Sequence, residues 1–118
     1  MLSKRGYGFK VEEHALRWFL ENRPGSRCIA KNYYSKVGEL DLVFEEPGPR
    51  GVELVFLEVK ARIGVPPSYE CVDYRKRRRL ALAAKRFLIR YRGPASQIRF
   101  DFLVWDGSDW DHLINAEL

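Results

Sequence analysis

Two acidic residues and one lysine stand at spacings that could support phosphodiester chemistry. Alternation with a period of two places Glu39 and Asp41 on one face of a strand. The next strand is apolar on both faces and ends with Glu58 and Lys60 side by side. The 16 residues between Asp41 and Glu58 are about what two paired strands and a turn require to bring both carboxylates together.

Neighbouring carboxylates repel each other, and a hard divalent cation such as Mg²⁺ or Mn²⁺ relieves that repulsion. Such a metal polarises a phosphate oxygen and lowers the pKa of its bound water, while Lys60 could position that water. Zinc is disfavoured, because Cys28 and Cys71 are far apart and no histidine cluster accompanies them. A structural salt bridge between Lys60 and Asp41 or Glu58 is the alternative.

Other acidic residues are candidates for further members of the site. On the first helix Glu12 falls near the middle of the apolar arc and Glu13 toward its edge, so both are candidates. A buried carboxylate is retained only with a partner or a metal. His14 falls on the polar side and is predicted to be a surface residue. Asp101 could also contribute, but pairing with Arg99 or with a helix end is the favoured explanation.

A run of five basic residues begins the second long helix, where the helix macrodipole disfavours positive charge. A phosphate backbone would favour such a run, since each neutralised phosphate releases counterions. By helical angle Lys76 points inward toward the strand ends, whereas Arg75, Arg78 and Arg79 spread outward. A solvated basic face with no ligand is the alternative.

Apolar periodicity and turn residues predict an α/β fold in the order αβββαββ, with a mixed central sheet of about five strands and helices packed on it. The first predicted helix spans residues 9–22. The second runs from an N-cap at Asp73 to a stop at Gly93 and Pro94. Predicted strands span residues 27–34, 39–44, 52–61, 98–105 and 110–116, with loops at 46–51 and 63–68. Trp105 and Trp110 are predicted to be packing aromatics.

Composition bounds the class of protein. The 118 residues are 46% hydrophobic, enough for one core, so we expect one domain over residues 1–118. Lysine and arginine number 21 against 16 acidic residues, and the net charge of +5 favours a polyanionic partner. No stretch approaches a membrane span or a secretory signal. The two unpaired cysteines fit a reducing, cytoplasmic setting.

The arrangement of these residues resembles the motif of the PD-(D/E)xK nuclease superfamily. A helix glutamate comes first, then a strand aspartate, then Glu-x-Lys on the next strand, and this order resembles that of the archaeal Holliday junction resolvases. The chain is more closely similar to the YraN-like uncharacterised proteins, predicted endonucleases, from about Gly8 to its end. The segments that carry this likeness are Gly38 to Val43, Val55 to Arg62, Lys76 to Leu80, Arg99 to Asp101 and Ile114 to Ala116. Val11 departs from the glycine usual there, and the 46–53 segment is longer than usual.

The resemblance implies a restriction-endonuclease-like core. In that core Asp41 and Glu58 would bind Mg²⁺ or Mn²⁺, with Glu39 as an additional or outer ligand. Lys60 would assist the attacking water, and Glu12 would complete the site.

The resulting hypothesis is a metal-dependent endonuclease that hydrolyses DNA, with branched or junction DNA as one candidate substrate. DNA would be contacted by Arg62, Arg75, Lys76, Arg77, Arg78 and Arg79. A homodimer is expected from the resemblance to resolvases. Two alternatives remain: a non-catalytic nucleic-acid-binding module, and a protein-interaction subunit whose acids form an ionic network with Lys60 and Arg62.

Overall fold

Two helices and five strands follow one another in the predicted αβββαββ order. The computed structural model describes the backbone of residues 4–62 and 74–118, and side chains of residues 11–62 and 75–118. The elements are α1 (Lys4–Asn22), β1 (Arg27–Ser35), β2 (Gly38–Gly48), β3 (Gly51–Ala61), α2 (Tyr74–Arg90), β4 (Gln97–Trp105) and β5 (Trp110–Leu113). The predicted N-cap at Asp73 and the loop at 63–68 lie outside the described residues.

The five strands form one mixed sheet, as predicted, and their order in the sheet is β1-β2-β3-β4-β5. Strands β1, β2 and β3 form an antiparallel meander, and β5 pairs antiparallel with β4. Strand β4 instead runs parallel to β3. A parallel pair needs a long crossover connection, and α2 lies on that connection.

Each helix covers one face of the sheet. Helix α2 packs on the face whose buried residues are Leu40, Val43, Leu54, Phe56 and Phe102, and it contributes Leu80, Ala83 and Ala84. Helix α1 packs on the opposite face, where Ala15 and Phe19 meet Leu42, Phe44, Val55, Leu57 and Leu103. Neither helix, over its described residues, is long and apolar enough to cross a membrane.

The prediction of a loop at residues 46–51 is wrong. Strand β2 continues through Glu46 to Gly48, and Glu46 pairs directly with Glu53 of β3. Only Pro49 and Arg50 separate the two strands. The glycines and prolines suggested a long loop, whereas in the fold they shape the end of a two-residue hairpin.

Two element ends also differ from prediction. Helix α1 begins at Lys4 instead of residue 9, because the glycines at its start, poor helix formers, hid that turn in the sequence pattern. Strand β5 ends at Leu113 instead of residue 116. Asn115 adopts a left-handed φ of 57°, which turns the chain out of the strand.

Alternation along β2 breaks at Asp41, contrary to prediction. Leu40 packs with Val43 on the α2 face, while Leu42 packs on the α1 face. The β2–β3 pairing ends at Leu42 and Leu57, so Asp41 and Glu58 lie where the two strands part. On the other side of β2, Asn32 falls between paired positions and has a left-handed φ of 49°. The sheet is therefore irregular at the level of the predicted site.

Candidate active site

Asp41 and Glu58 are fixed side by side at the point where β2 and β3 part. The Asp41 backbone amide donates to Oε2 of Glu58 at 3.0 Å. In return the Val59 amide donates to Oδ2 of Asp41 at 2.9 Å. Each carboxylate thus takes the place of a backbone carbonyl in the interrupted ladder, and this exchange holds both acids in one orientation.

These two acids open into a cavity of about 350 Å³ between the helices. Its lining residues are Glu12, Gly38, Glu39, Asp41, Glu58, Val59, Lys76, Arg79 and Leu80. Glu12 is half-buried there, whereas Glu13 is exposed and does not line this cavity. Of the two helix acids that the sequence left open, Glu12 is the one the fold brings to Asp41 and Glu58.

Burial without a matching cation keeps the three acids from ionising easily. Burial, followed by repulsion from Asp41, raises the pKa of Glu58 to about 8. The pKa of Glu12 rises to about 7, because of burial first and then the charges of Asp41 and Glu39. Burial also raises the pKa of Asp41, against the opposing effects of the Val59 amide and two lysines. A positive ligand would favour the ionised forms of these acids, so a buried acidic cluster with raised pKa values is suited to bind one.

Lys60 is half-buried near the acids but does not line the cavity, and its charge only partly offsets theirs. Burial and then the neighbouring Lys76 ammonium lower the pKa of Lys60 to about 8. The attraction between Lys60 and the two acids opposes these shifts, but burial outweighs it in all three groups.

Helix α2 can approach this cavity because residue 38 is glycine. A Cβ atom at Gly38 would lie 2.8 Å from the backbone oxygen of Arg79, too close for any side chain. Removing that clash lets Lys76 and Arg79 reach the cavity wall. The inward direction predicted for Lys76 is confirmed. Arg79 was predicted to spread outward, and although exposed it also lines the cavity.

The predicted nucleic-acid-binding residues extend from the cavity onto the surface of α2. Arg75 and Arg78 are exposed, and together with Arg79 and Leu82 they line a second, open depression. Arg77 is half-buried. Arg62 lies beyond the end of β3, where its amide donates to the Trp105 carbonyl.

A second ionic cluster lies around Arg99 and Asp101, and most of its members could not be predicted from the sequence. Asp101 is fully buried and accepts two hydrogen bonds from Arg99 at 2.8 and 2.9 Å, so the predicted Arg99 pairing is confirmed. His112 and the Asn115 amide bind the same carboxylate. Arg99 also contacts Glu46, and hydrogen bonds from Arg23 and Arg99 help to lower the pKa of Glu46 to about 2.

This second cluster pairs its acids directly with cations, whereas the hydrogen bonds to Asp41 and Glu58 come from backbone amides. Hydrogen bonds from Arg23 and Arg99 lower the pKa of Glu46, while burial and the charge of Asp41 raise the pKa of Glu58. These opposite shifts distinguish a structural ion-pair network from a cavity in which burial outweighs the nearby cations. The sequence does not reveal Glu46 as a buried residue, because the glycines and prolines that follow it predict a loop.

The donor set of the cavity fits a hard divalent cation only in part. Asp41 and Glu58 offer oxygen ligands, and Mg²⁺ is commonly held by one or two carboxylates together with water and substrate phosphate. Within residues 4–62 and 74–118 no three acidic, histidine or cysteine side chains converge as a ready metal-binding group. Glu39 is exposed at the cavity rim.

The remaining residues singled out in the sequence do not line the large cavity where the structure describes them. His14 is exposed, as predicted. Trp105 and Trp110 pack against each other with ring centroids 5.0 Å apart, in keeping with the predicted packing role. Cys28 is half-buried and free, and Cys71 lies outside the described residues.

The chain belongs to the uncharacterised protein family UPF0102, whose model matches residues 11–104. It is 43% identical over 108 residues to a UPF0102 protein of Burkholderia pseudomallei (strain 1106a), covering 90% of this chain and 71% of that protein. It is also 38% identical over 114 residues to a UPF0102 protein of Ralstonia nicotianae, covering 92% of this chain and 84% of that protein. The expected YraN-like membership is thereby confirmed, and the matched region contains the whole cavity.

Proposed function

We propose that this protein is a metal-dependent endonuclease that hydrolyses phosphodiester bonds in DNA on a restriction-endonuclease-like core. The observation that carries the proposal is the pair of carboxylates Asp41 and Glu58, held by reciprocal backbone hydrogen bonds where β2 and β3 part. Beside this pair stands Lys60, and across the cavity stand the basic residues of α2.

Asp41 and Glu58 would hold Mg²⁺ or Mn²⁺, with substrate phosphate and water completing the coordination. When bound, the metal would neutralise these acids, polarise the phosphate and lower the pKa of water. Glu39 is a candidate outer ligand at the rim.

Lys60 would accept a proton from the water that attacks phosphorus, a role suited to a half-buried lysine whose pKa is lowered by burial and by Lys76. The bond from phosphorus to the leaving oxygen would then break, and that oxygen would take a proton from solvent or from Glu12, which lines the same cavity. Lys76 and Arg79 would orient the phosphate from the opposite wall.

The basic surface of α2 supports a DNA substrate. Exposed Arg75 and Arg78 continue the positive charge outward from the cavity, where they could contact further phosphates. The role of Arg62 and Arg77 as further DNA contacts is part of the same proposal. A homodimer would place two such cavities on two strands, and a cytoplasmic location would give access to DNA.

The test is a cleavage panel with the purified protein. Labelled four-way junction, flap, single-stranded and duplex DNA would be incubated with Mg²⁺, with Mn²⁺ or with a chelator. We expect metal-dependent cutting of at least one substrate, lost in Asp41→Asn while binding is retained. Salt-sensitive binding with no cutting under any condition would reject the enzyme and leave a non-catalytic binding module.

Absence of any DNA or RNA binding would reject both readings in favour of a protein-interaction subunit. Light scattering on the same sample would test the homodimer.

A further inference from the structure

An open depression lies on the surface of α2, next to the large cavity. Its volume is about 470 Å³, and it is lined by Arg75, Arg78, Arg79 and Leu82. We call it the arginine depression. Arg79 also lines the large cavity, so the two spaces are adjacent and one bound strand can occupy both.

The three arginines of this depression have no partner among the described residues. No hydrogen bond or ion pair from the described part of the chain reaches their side chains. By contrast, exposed Arg27 on β1 is paired with Glu45. Residues three or four apart on a helix are neighbours, so Arg75, Arg78 and Arg79 repel one another. Such a cluster favours an anion, and phosphate accepts paired hydrogen bonds from guanidinium groups.

Leu82 gives this basic depression an apolar contact surface. It is 36% exposed, whereas Leu80, Ala83 and Ala84 of the same helix are buried against the sheet. The arginine side chains also carry aliphatic stems beneath their charged ends. A ligand that fits the whole depression therefore carries apolar atoms beside its negative charge. A nucleic-acid strand meets this requirement, because each of its phosphates is attached to sugars.

Deoxyribose suits the contact with Leu82 better than ribose does. The 2′-hydroxyl of ribose donates and accepts hydrogen bonds, and it is the group by which a protein tells RNA from DNA. Among the described lining side chains none can accept a hydrogen bond from it, since leucine has no polar atom and arginine only donates. Covering a hydroxyl group without a full set of partners costs free energy.

We propose that Leu82 selects DNA over RNA by contacting the deoxyribose of a nucleotide bound in the arginine depression. The phosphate of that nucleotide is held by the unpaired arginines, while the same strand continues past Arg79 into the large cavity. The inference rests on the proposed function and narrows it, because it assigns the choice of sugar to one side chain.

Binding of two single strands that differ only in their sugar tests this inference without cleavage. The probes are labelled oligodeoxyuridine and oligouridine of equal length, which carry the same base. Their affinities are measured by fluorescence anisotropy with a chelator present, so that neither strand is cut. We expect the wild type to bind the deoxyuridine strand about tenfold more tightly than the uridine strand.

Leu82→Asn is the decisive variant, because asparagine offers the 2′-hydroxyl the hydrogen bonds that leucine cannot. Leu82→Met keeps an apolar contact and should keep the preference. Ile89→Asn is the matched control, since Ile89 is exposed on almost the same side of α2, about two helical turns farther along and outside the depression. The preference should fall below about twofold in Leu82→Asn alone, with equal melting temperatures establishing that all three variants fold.

The failure of this inference is distinguishable from that of the proposed function. Equal or weaker binding of the deoxyuridine strand by the wild type, or an unchanged preference in Leu82→Asn, overturns the role of Leu82 and leaves the nuclease proposal standing. A preference lost equally in Ile89→Asn overturns it as well. Absence of binding to either strand overturns both proposals. A preference lost only in Leu82→Asn supports the inference even in a protein that cuts nothing.

Discussion

Replacing Glu58 by glutamine should make the fold more stable, and increasingly so as the pH rises. Glutamine keeps an oxygen that can accept the hydrogen bond from the Asp41 amide, but it carries no charge. In the wild type the pKa of Glu58 rises from 4.5 to about 8 on folding. The unfolded chain therefore releases this proton more readily, and wild type loses stability between these two pH values.

The size of the effect follows from the same two pKa values. At pH 7 the medium is about 2.5 pH units above the ordinary pKa of 4.5, and each unit is worth about 1.4 kcal/mol, so Glu58→Gln should gain about 3 kcal/mol over wild type. The gain should be near zero at pH 4.5 and should level off above pH 8. Urea unfolding, followed by tryptophan fluorescence at several pH values, measures this difference directly.

Glu46→Gln is the matched control, because its expected sign is opposite. The pKa of Glu46 is lowered to about 2, so its contribution is present above its ordinary pKa and is lost as the pH falls toward 2. This variant should lose stability at pH 7. A gain for Glu58→Gln that does not change with pH, or a loss at pH 7, would refute the reasoning about the cavity.

Three further predictions test other parts of the account. Arg99→Met, which leaves Asp101 buried without its main partner, should cost about 3 to 5 kcal/mol of unfolding free energy in urea, and a cost below about 1 kcal/mol would contradict the network. Mg²⁺ at ten times its dissociation constant should stabilise wild type by about 1.4 kcal/mol, and Asp41→Asn should show no such gain in the same titration. Replacing Arg75 and Arg78 by glutamine should reduce the slope of log affinity against log salt for duplex DNA by about 1.8. The same charge change at exposed Lys85 and Arg86, farther along α2, should leave that slope unchanged.

The order of elements was predictable because each element carries a clear period. Alternation in β3 and the apolar stripe of α2 are local signals. The first correctly placed Glu58, and the second correctly placed Lys76. Asp41 was found from its spacing to Glu58, since 16 intervening residues suit two paired strands and a turn.

The parts that could not be predicted depend on backbone irregularity or on distant partners. Nothing local shows that the β2–β3 ladder breaks at Asp41 and reverses the alternation there. Glu46 becomes recognisable as a buried residue only once Arg23 and Arg99, remote in the sequence, are brought to it. The left-handed Asn32 likewise has no signal in its neighbours.

The most direct test of the proposed nuclease is the single-turnover cleavage rate in Mn²⁺ of three proteins on the substrate that the cleavage panel identifies. These are wild type, Asp41→Asn and Glu21→Gln, the last removing one charge from an exposed position near the end of α1. The account predicts a loss of at least about a hundredfold for Asp41→Asn, with DNA binding retained, and a rate within about twofold of wild type for Glu21→Gln. Equal rates for wild type and Asp41→Asn would show that any cutting arises elsewhere and would contradict the assignment of this cavity as the active site.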